Sequence, residues 1–124
     1  MPKVIHFNIK AIKPKKLKEF YEKVFDWKFI KWDDSGEGLD YYMINTGGGE
    51  QGIDGGMSLK RDLEDHTEIT IGVKDIDSYM EIIEACGGKI TSPKMSIPGY
   101  GWIINFEDPQ GNNYSIMEED SEAK

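Results

Sequence analysis

The hydrophobic pattern in the second half of the chain predicts a strand, a helix and three short strands. The run 68–73 (EITIGV) alternates polar and apolar residues, as a half-buried strand does. Apolar residues then recur over 76–83 at the spacing of an amphipathic helix, which Gly87 and Gly88 end. Further extended runs follow at 89–92, 101–106 and 112–117, separated by turns that carry Pro and Gly, while the loop 93–101 is expected to lack regular structure.

The first half repeats this order more weakly, about 60 residues earlier. Glu68 falls on His6 at an offset of 62, and Trp102 falls on Tyr42 at an offset of 60. Two copies of a period this long indicate a duplicated βαβββ module rather than a solenoid. The predicted modules are 1–60 and 67–119, and the first contains strands at 4–11, 27–33, 41–45 and 53–59 and a helix after Pro14.

Alternation places an unusually polar set of side chains on the sheet face away from each helix. Matching positions of a duplicated fold lie near a pseudo-twofold axis, so we expect His6 and Glu68 to approach each other. The last strand would add Glu118, whose counterpart at the 60-residue offset is Ser58, or Met57 if the register shifts by one. The same face is predicted to carry Asn8, Thr70, Tyr114 and Ile116.

Two glutamates on one concave face need a cation, a proton or open water, because an unpaired buried carboxylate costs several kcal/mol. A divalent metal would satisfy one imidazole and two carboxylates and leave positions for water or substrate. Each residue also has an ordinary interpretation. His6 is then a core or rim residue, Glu68 a solvated residue at a strand start, and Glu118 the beginning of an acidic, solvated tail.

The composition of the chain argues against several classes of binding partner. The net charge of −8, from 23 acidic and 15 basic residues, argues against nucleic acid and anionic membranes, which are polyanions. Cys86 is the only cysteine, which excludes a disulfide framework within one chain. The start of the chain has no secretory-type apolar run, and no stretch approaches ~20 apolar residues. The expected compartment is the cytoplasm.

The paired modules resemble the vicinal oxygen chelate superfamily, the group of glyoxalase I, bleomycin-resistance proteins and extradiol dioxygenases. The resemblance is carried by segments 20–29, 73–90 and 97–118, above all by the DPQGN turn followed by a strand ending in Glu. It implies a single α+β domain over 1–124, a small single-unit glyoxalase-like protein. Its two paired βαβββ modules would form a cup-shaped, eight-stranded mixed sheet with helices outside and a ligand cleft inside. The resemblance also makes a homodimer the expected assembly.

The resemblance implies a metal site at the first and last strands of each module. His6, Glu68 and Glu118 match three of its positions, and Ser58 or Met57 stands where metal-binding glyoxalases have a carboxylate. Neither the glyoxalase quartet nor the two-His-one-carboxylate dioxygenase triad is reproduced. Dioxygenase activity is therefore less favoured, and Zn, Ni, Mn and Fe are not distinguished; no other cofactor is indicated.

Two hypotheses about function follow. The first is a metal-dependent lyase or isomerase that chelates two adjacent oxygens of a small substrate and uses Glu118 as its catalytic proton shuttle. The second is a metal-free binding or sequestering module of the resistance type, with aromatic residues lining its cleft. The candidate ligand-binding residues are Tyr42, Tyr100, Trp102 and Tyr114, with Asn8 and Thr70 from the polar face.

Overall fold

The computed structural model describes residues 1–31, 41–47, 52–62 and 65–124, and it contains the βαβββ order followed by a second copy that has one additional strand. The first copy comprises β1 (Lys3–Ala11), α1 (Pro14–Phe25), β2 (Lys28–Lys31), β3 (Tyr42–Asn45) and β4 (Gly55–Leu59). The second comprises β5 (Glu68–Gly72), α2 (Ile76–Ala85), β6 (Lys89–Ile90), β7 (Met95–Ile97), β8 (Gly101–Glu107) and β9 (Asn113–Glu119).

The chain divides into two compact units. The N-terminal unit is His6–Thr67, and the C-terminal unit is Glu68–Lys124 together with Met1–Ile5. No helix in the described part of the chain is long and apolar enough to cross a membrane.

In the N-terminal unit the strands lie in the order β2, β3, β4, β1, with β1 parallel to β4 and the other pairs antiparallel. Helix α1 begins at Pro14, where the missing N–H costs no hydrogen bond. It ends at Asp26, which is left-handed and donates its N–H to the Glu22 carbonyl. The core consists of Ala11, Tyr42, Ile44 and Met57, with Phe7, Ile9, Leu17, Trp27 and Phe29 packed against it.

In the C-terminal unit the order is β5, β9, β8, β6, with β5 parallel to β9 and β8 antiparallel to its neighbours. Helix α2 begins after Asp75, whose carboxylate accepts from the Ser78 N–H, the hydrogen bond typical of an aspartate at a helix N-cap. Its apolar face then covers the sheet. The core consists of Val73, Ile76, Ile104 and Ile116, with Ile71, Tyr79, Met80, Ile83, Trp102 and Phe106 packed against it.

The α+β class is confirmed, and the described residues form nine strands where eight were predicted. The prediction that 93–101 lacks regular structure was wrong, because β7 lies within it and pairs with β8. Pro93 and Pro98 flank this strand rather than interrupt it, so its own N–H groups remain available for the ladder. Residues 32 and 33 of the strand predicted at 27–33 lie outside the described residues.

The C-terminal tail also differs from the solvated run that its acidic residues predicted. Ala123 is buried, and its carbonyl accepts from the Gly99 N–H at 2.8 Å. The Asp120 N–H donates to the Tyr100 carbonyl at 2.8 Å. Backbone hydrogen bonds therefore hold the tail against the β7–β8 hairpin despite its charge.

Candidate functional site

The sheet face of the N-terminal unit that lies opposite α1 carries polar side chains. Along β1, Phe7 and Ile9 pack on the core, so alternation directs His6, Asn8 and Lys10 to the other face. The register with β4 extends this face across the neighbouring strand: Asn8 lies opposite Gly56, and Lys10 opposite Ser58. The Lys10 ammonium donates to the Ser58 hydroxyl at 3.3 Å. We call this surface the polar face.

Gly56 makes room on the polar face for the hydroxyl of Tyr41. A Cβ at Gly56 would overlap the Tyr41 hydroxyl oxygen, so only glycine lets the phenol lie across β4. Burial raises the pKa of Tyr41, which therefore stays protonated as a hydrogen-bond donor at neutral pH. Because Asn8 is the register partner of Gly56, the phenol lies over the strand position that pairs with Asn8.

Asn8 carries an unsatisfied acceptor. Its Oδ1 is buried and has no hydrogen-bond partner among the described residues. Leaving such an atom unpaired costs roughly 1–3 kcal/mol, and a group of this kind in a folded protein calls for an explanation. The position of Asn8 on the predicted site face makes ligand binding one such explanation.

His6 also lies on the polar face, two residues before Asn8 on β1. Burial lowers the pKa of the imidazole below its ordinary value, and the negative charge of Asp54 opposes that shift. The imidazole is therefore mainly neutral at pH 7, with one nitrogen that donates a hydrogen bond and one that accepts.

The C-terminal unit has a closed pair at the equivalent place. Thr70 and Ser115 are register partners on β5 and β9, and their hydroxyl oxygens lie 2.7 Å apart. The two residues are 6% and 1% exposed, so each hydroxyl satisfies the other out of reach of solvent. At the corresponding pair in the N-terminal unit, Asn8 lies opposite Gly56, which has no side chain to satisfy the Asn8 oxygen.

The two registers also fix how the modules correspond. Asn8 matches Thr70 at the predicted offset of 62, so its partner Gly56 matches Ser115, an offset of 59 residues (56 to 115). Met57 then matches Ile116, and both are buried core residues. The predicted offset of 60, which paired Ser58 with Glu118, was therefore wrong by one residue.

Glu118 lies on the helix side of its sheet. Its Oε1 accepts from the Ile76 N–H at 2.9 Å, at the first turn of α2, where the helix dipole favours a carboxylate. The Thr70–Ser115 hydrogen bond places Ser115 on the face of Thr70 and Glu68, so Ile116 and Glu118 lie on the other face. Tyr114, Ile116 and Glu118 were predicted on the Glu68 face, and that assignment was wrong.

The predicted metal ligands are not assembled within either unit. His6 belongs to the N-terminal unit, whereas Glu68 and Glu118 lie on opposite faces of the C-terminal one. Among the described residues, no group of three or more His, Cys, Asp or Glu side chains could hold a metal ion. Within each unit, the described residues therefore do not assemble the predicted set of three ligands.

The predicted aromatic ligands lie mostly in or against the two cores. Tyr42 is 7% exposed in the core beside Met57. Trp102 packs against the other core and donates its Nε1–H to Asp120 at 3.1 Å. Tyr114 stacks on Phe106 with ring centroids 5.7 Å apart, and Tyr100 is exposed.

Tyr41 was missed in favour of its neighbour Tyr42. The available signal was the Gly55-Gly56 pair inside a predicted strand, because glycine there marks the close approach of another group.

The fold and its polar face define a glyoxalase-like α+β protein. Residues 3–116 match the sequence model of the Glyoxalase/Bleomycin resistance protein/Dioxygenase superfamily, and the chain belongs to that family. No curated protein sequence matches it significantly.

Solved structures share the fold at low sequence identity. A hypothetical protein from Bacillus halodurans matches with a TM-score of 0.72 at 16% identity, over 99% of this chain and 98% of that one. Methylmalonyl-CoA epimerase from Mycobacterium tuberculosis matches with a TM-score of 0.70 at 11% sequence identity, over 94% of this chain and 87% of that one. A member of the glyoxalase/bleomycin resistance protein/dioxygenase superfamily from Vibrio splendidus matches with a TM-score of 0.64 at 14% sequence identity, over 96% of this chain and 100% of that one.

Proposed function

We propose that this chain binds a small, hydrogen-bond-donating molecule on the polar face of its N-terminal unit without a metal. The observation that carries the proposal is the buried, unpaired Oδ1 of Asn8, whose register partner Gly56 lies under the Tyr41 phenol. A ligand hydroxyl or N–H that reached this oxygen would recover the hydrogen bond that the free protein lacks.

The neighbouring groups define which ligands suit the face. The neutral imidazole of His6 and the phenol of Tyr41 can each donate or accept, whereas Lys10 offers a positive charge near Ser58. Small oxygenated molecules with a hydroxyl next to a second polar group match this set. Since the Asn8 oxygen is screened from solvent, binding requires a neighbouring side chain of the face to move.

Gly56→Ala is expected to weaken this binding by about tenfold or more, because the new methyl group displaces the Tyr41 hydroxyl from its place over the strand position that pairs with Asn8. The measurement is an NMR screen of labelled protein against a library of small hydroxyl- and amide-bearing compounds. The Asn8 side-chain amide resonance reports binding, which is measured both with and without EDTA.

Gly72→Ala is the matched control, since it adds the same methyl group to a strand glycine of the other unit. It should bind the same compounds as the unaltered chain. Unchanged affinity in Gly56→Ala, or binding that EDTA abolishes, would overturn the proposal.

The metal-dependent lyase or isomerase is the second candidate, because His6 and Glu68 stand at matching positions of the two modules. It requires about one equivalent of metal in protein purified without chelator or affinity tag, and loss of that metal in Glu118→Gln. We expect substoichiometric metal by elemental analysis. We also expect Glu118→Gln to lower the free energy of unfolding by about 1 kcal/mol through the weakened α2 cap.

Location in the cytoplasm, the absence of nucleic-acid and membrane partners, and a homodimeric state complete the proposal. Cell fractionation tests the first of these.

A further inference from the structure

A row of register partners crosses the four strands of the N-terminal unit on the side of the polar face. Asn8 of β1 pairs with Gly56 of β4, and Gly56 pairs with Met43 of β3. Met43 in turn pairs with Ile30 of β2. Because the side chains of register partners lie on the same face of a sheet, these four positions form one continuous row. At a strand spacing of about 4.8 Å, the row runs roughly 14 Å from Asn8 to Ile30.

The row changes from polar to apolar along its length. Asn8 contributes the buried, unpaired oxygen at one end. At the other end, Met43 is 39% exposed and Ile30 is 55% exposed. Phe29 and Ile44, their neighbours along the strands, belong to or pack on the core, so alternation directs Met43 and Ile30 to the face of Asn8. An unsatisfied acceptor and two exposed apolar side chains therefore lie on one line.

The apolar end of the row is narrow. Lys28 and Asn45 are exposed register partners that lie two residues from Ile30 and Met43 on the same face. On the other side, Tyr41 precedes Met43 by two residues. A stable protein interface buries roughly 800 Å² on each partner, far more than two partly exposed side chains between polar neighbours provide. The width suits a single aliphatic chain better than it suits a protein surface.

We propose that the ligand of the polar face carries an aliphatic chain that lies along Met43 and Ile30 while its hydrogen-bond-donating head reaches Asn8. This inference rests on the function proposed above and narrows the ligand to amphipathic molecules. Their head is a hydroxyl next to a second polar group, and their tail is a chain of several carbons. Burial of that chain supplies affinity that a short ligand lacks.

Two side chains of the row suit such a ligand. Met43 is unbranched and ends in a flexible thioether, so it can adapt its shape to the chain that it covers. The Tyr41 phenol covers Gly56 between the two ends of the row, so a ligand that spans the row contacts or displaces it. Gly56 itself has no side chain to separate the head from the tail.

Two 1,2-alkanediols test the inference, because they share one head and differ only in the length of the tail. The unaltered chain should bind 1,2-octanediol at least about tenfold more tightly than 1,2-butanediol, since the additional methylene groups lie against the apolar end of the row. NMR titration of labelled protein measures both dissociation constants. Shifts of the Asn8 side-chain amide and of the Met43 methyl group locate the head and the tail.

Variants of the two ends should have different effects. Ile30→Ser and Met43→Ser should each reduce the preference for 1,2-octanediol to about threefold or less, because a hydroxyl replaces the apolar surface. Gly56→Ala should instead weaken the binding of both diols, because it alters the head site.

The C-terminal unit offers matched controls. Ile82 is 49% exposed and Met95 is 41% exposed, close to the values for Ile30 and Met43. Ile82→Ser and Met95→Ser should therefore keep the full preference for 1,2-octanediol. A loss of preference in these controls as large as in Ile30→Ser would show that the tail binds apolar surface without regard to the row, and it would overturn the inference.

The remaining outcomes separate this inference from the function on which it rests. Equal affinity for the two diols overturns the aliphatic chain but leaves the head site at Asn8 in place. Binding of neither diol overturns both. Sedimentation equilibrium of Ile30→Ser and Met43→Ser covers the other possible occupant. A changed mass with an unchanged preference for 1,2-octanediol overturns the inference and assigns the apolar end of the row to contact between protein copies.

Discussion

Gly101→Ala is expected to lower the free energy of unfolding by about 3 kcal/mol, a large effect for the addition of one methyl group. Gly101 begins β8 and pairs with Glu119 of β9. A Cβ at this position would overlap the carbonyl oxygen of Glu118 and lie 3.2 Å from the Glu119 Cα. These are backbone atoms of the paired strand, so the contact cannot be relieved without disturbing the β8–β9 ladder.

Gly72→Ala provides the comparison. Its Cβ would meet the Ile5 side chain at 3.2 Å, and a side chain can rotate where a backbone cannot. We therefore expect a change of less than about 1 kcal/mol. Urea denaturation of both variants, with equal slopes, measures the two free energies. Equal losses in the two variants would show that the approach of β9 to Gly101 is not the determining contact.

Thr70→Val should cost about 2 kcal/mol, although valine has nearly the shape of threonine. The substitution removes the partner of the Ser115 hydroxyl, which is 1% exposed and cannot turn to water instead. The free energy lost is mainly the desolvation cost of a buried group left unpaired. Thermal and urea unfolding of the single variant measure it.

Adding Ser115→Ala to Thr70→Val should recover part of that loss. With both hydroxyls gone, no buried polar atom is left unpaired there, and the double variant should be more stable than the sum of the single effects predicts. Additive losses would contradict the hydroxyl pair as a coupled unit. The Asp75→Ser variant, which keeps capping chemistry at the exposed start of α2, is a suitable control of small expected effect.

Local chemistry predicted the elements of this fold well. The turn over 108–112 forms as Pro109 and Gly111 indicated, with Gly111 at a φ of +86° and the Asp108 carboxylate accepting from the Asn112 N–H. The α2 cap at Asp75 and the helix end at Gly87, with a φ of +99°, follow equally from residue type. Such features depend on neighbours in sequence, so sequence alone could supply them.

The site was predicted less well, because alternation within a strand shows which residues share a face but not which face packs on the helix. It shows that Ile116 and Glu118 share a face, but strand pairing decides which face that is. The Thr70–Ser115 register settles the choice, and it depends on residues 45 positions apart. The one-residue error in the module offset has the same origin, since only the buried positions of Met57 and Ile116 fix it.

The choice between Tyr41 and Tyr42 followed the same rule. Two adjacent tyrosines in a strand point to opposite faces, so one joins the core and the other reaches the polar face. The sequence placed Asn8 correctly on that face, but the space above Gly56 exists only once β3 and β4 are paired.

The unpaired oxygen of Asn8 implies a trade-off between activity and robustness. An apolar residue at this position would remove a buried acceptor that nothing in the described chain satisfies, so the fold should tolerate it or gain from it. If the oxygen serves a ligand, that gain comes at the expense of recognition. Selection for thermal stability alone would therefore favour replacement of Asn8 and loss of ligand recognition in the N-terminal unit. It would leave the C-terminal unit unchanged at the equivalent position, because Thr70 and Ser115 already satisfy each other.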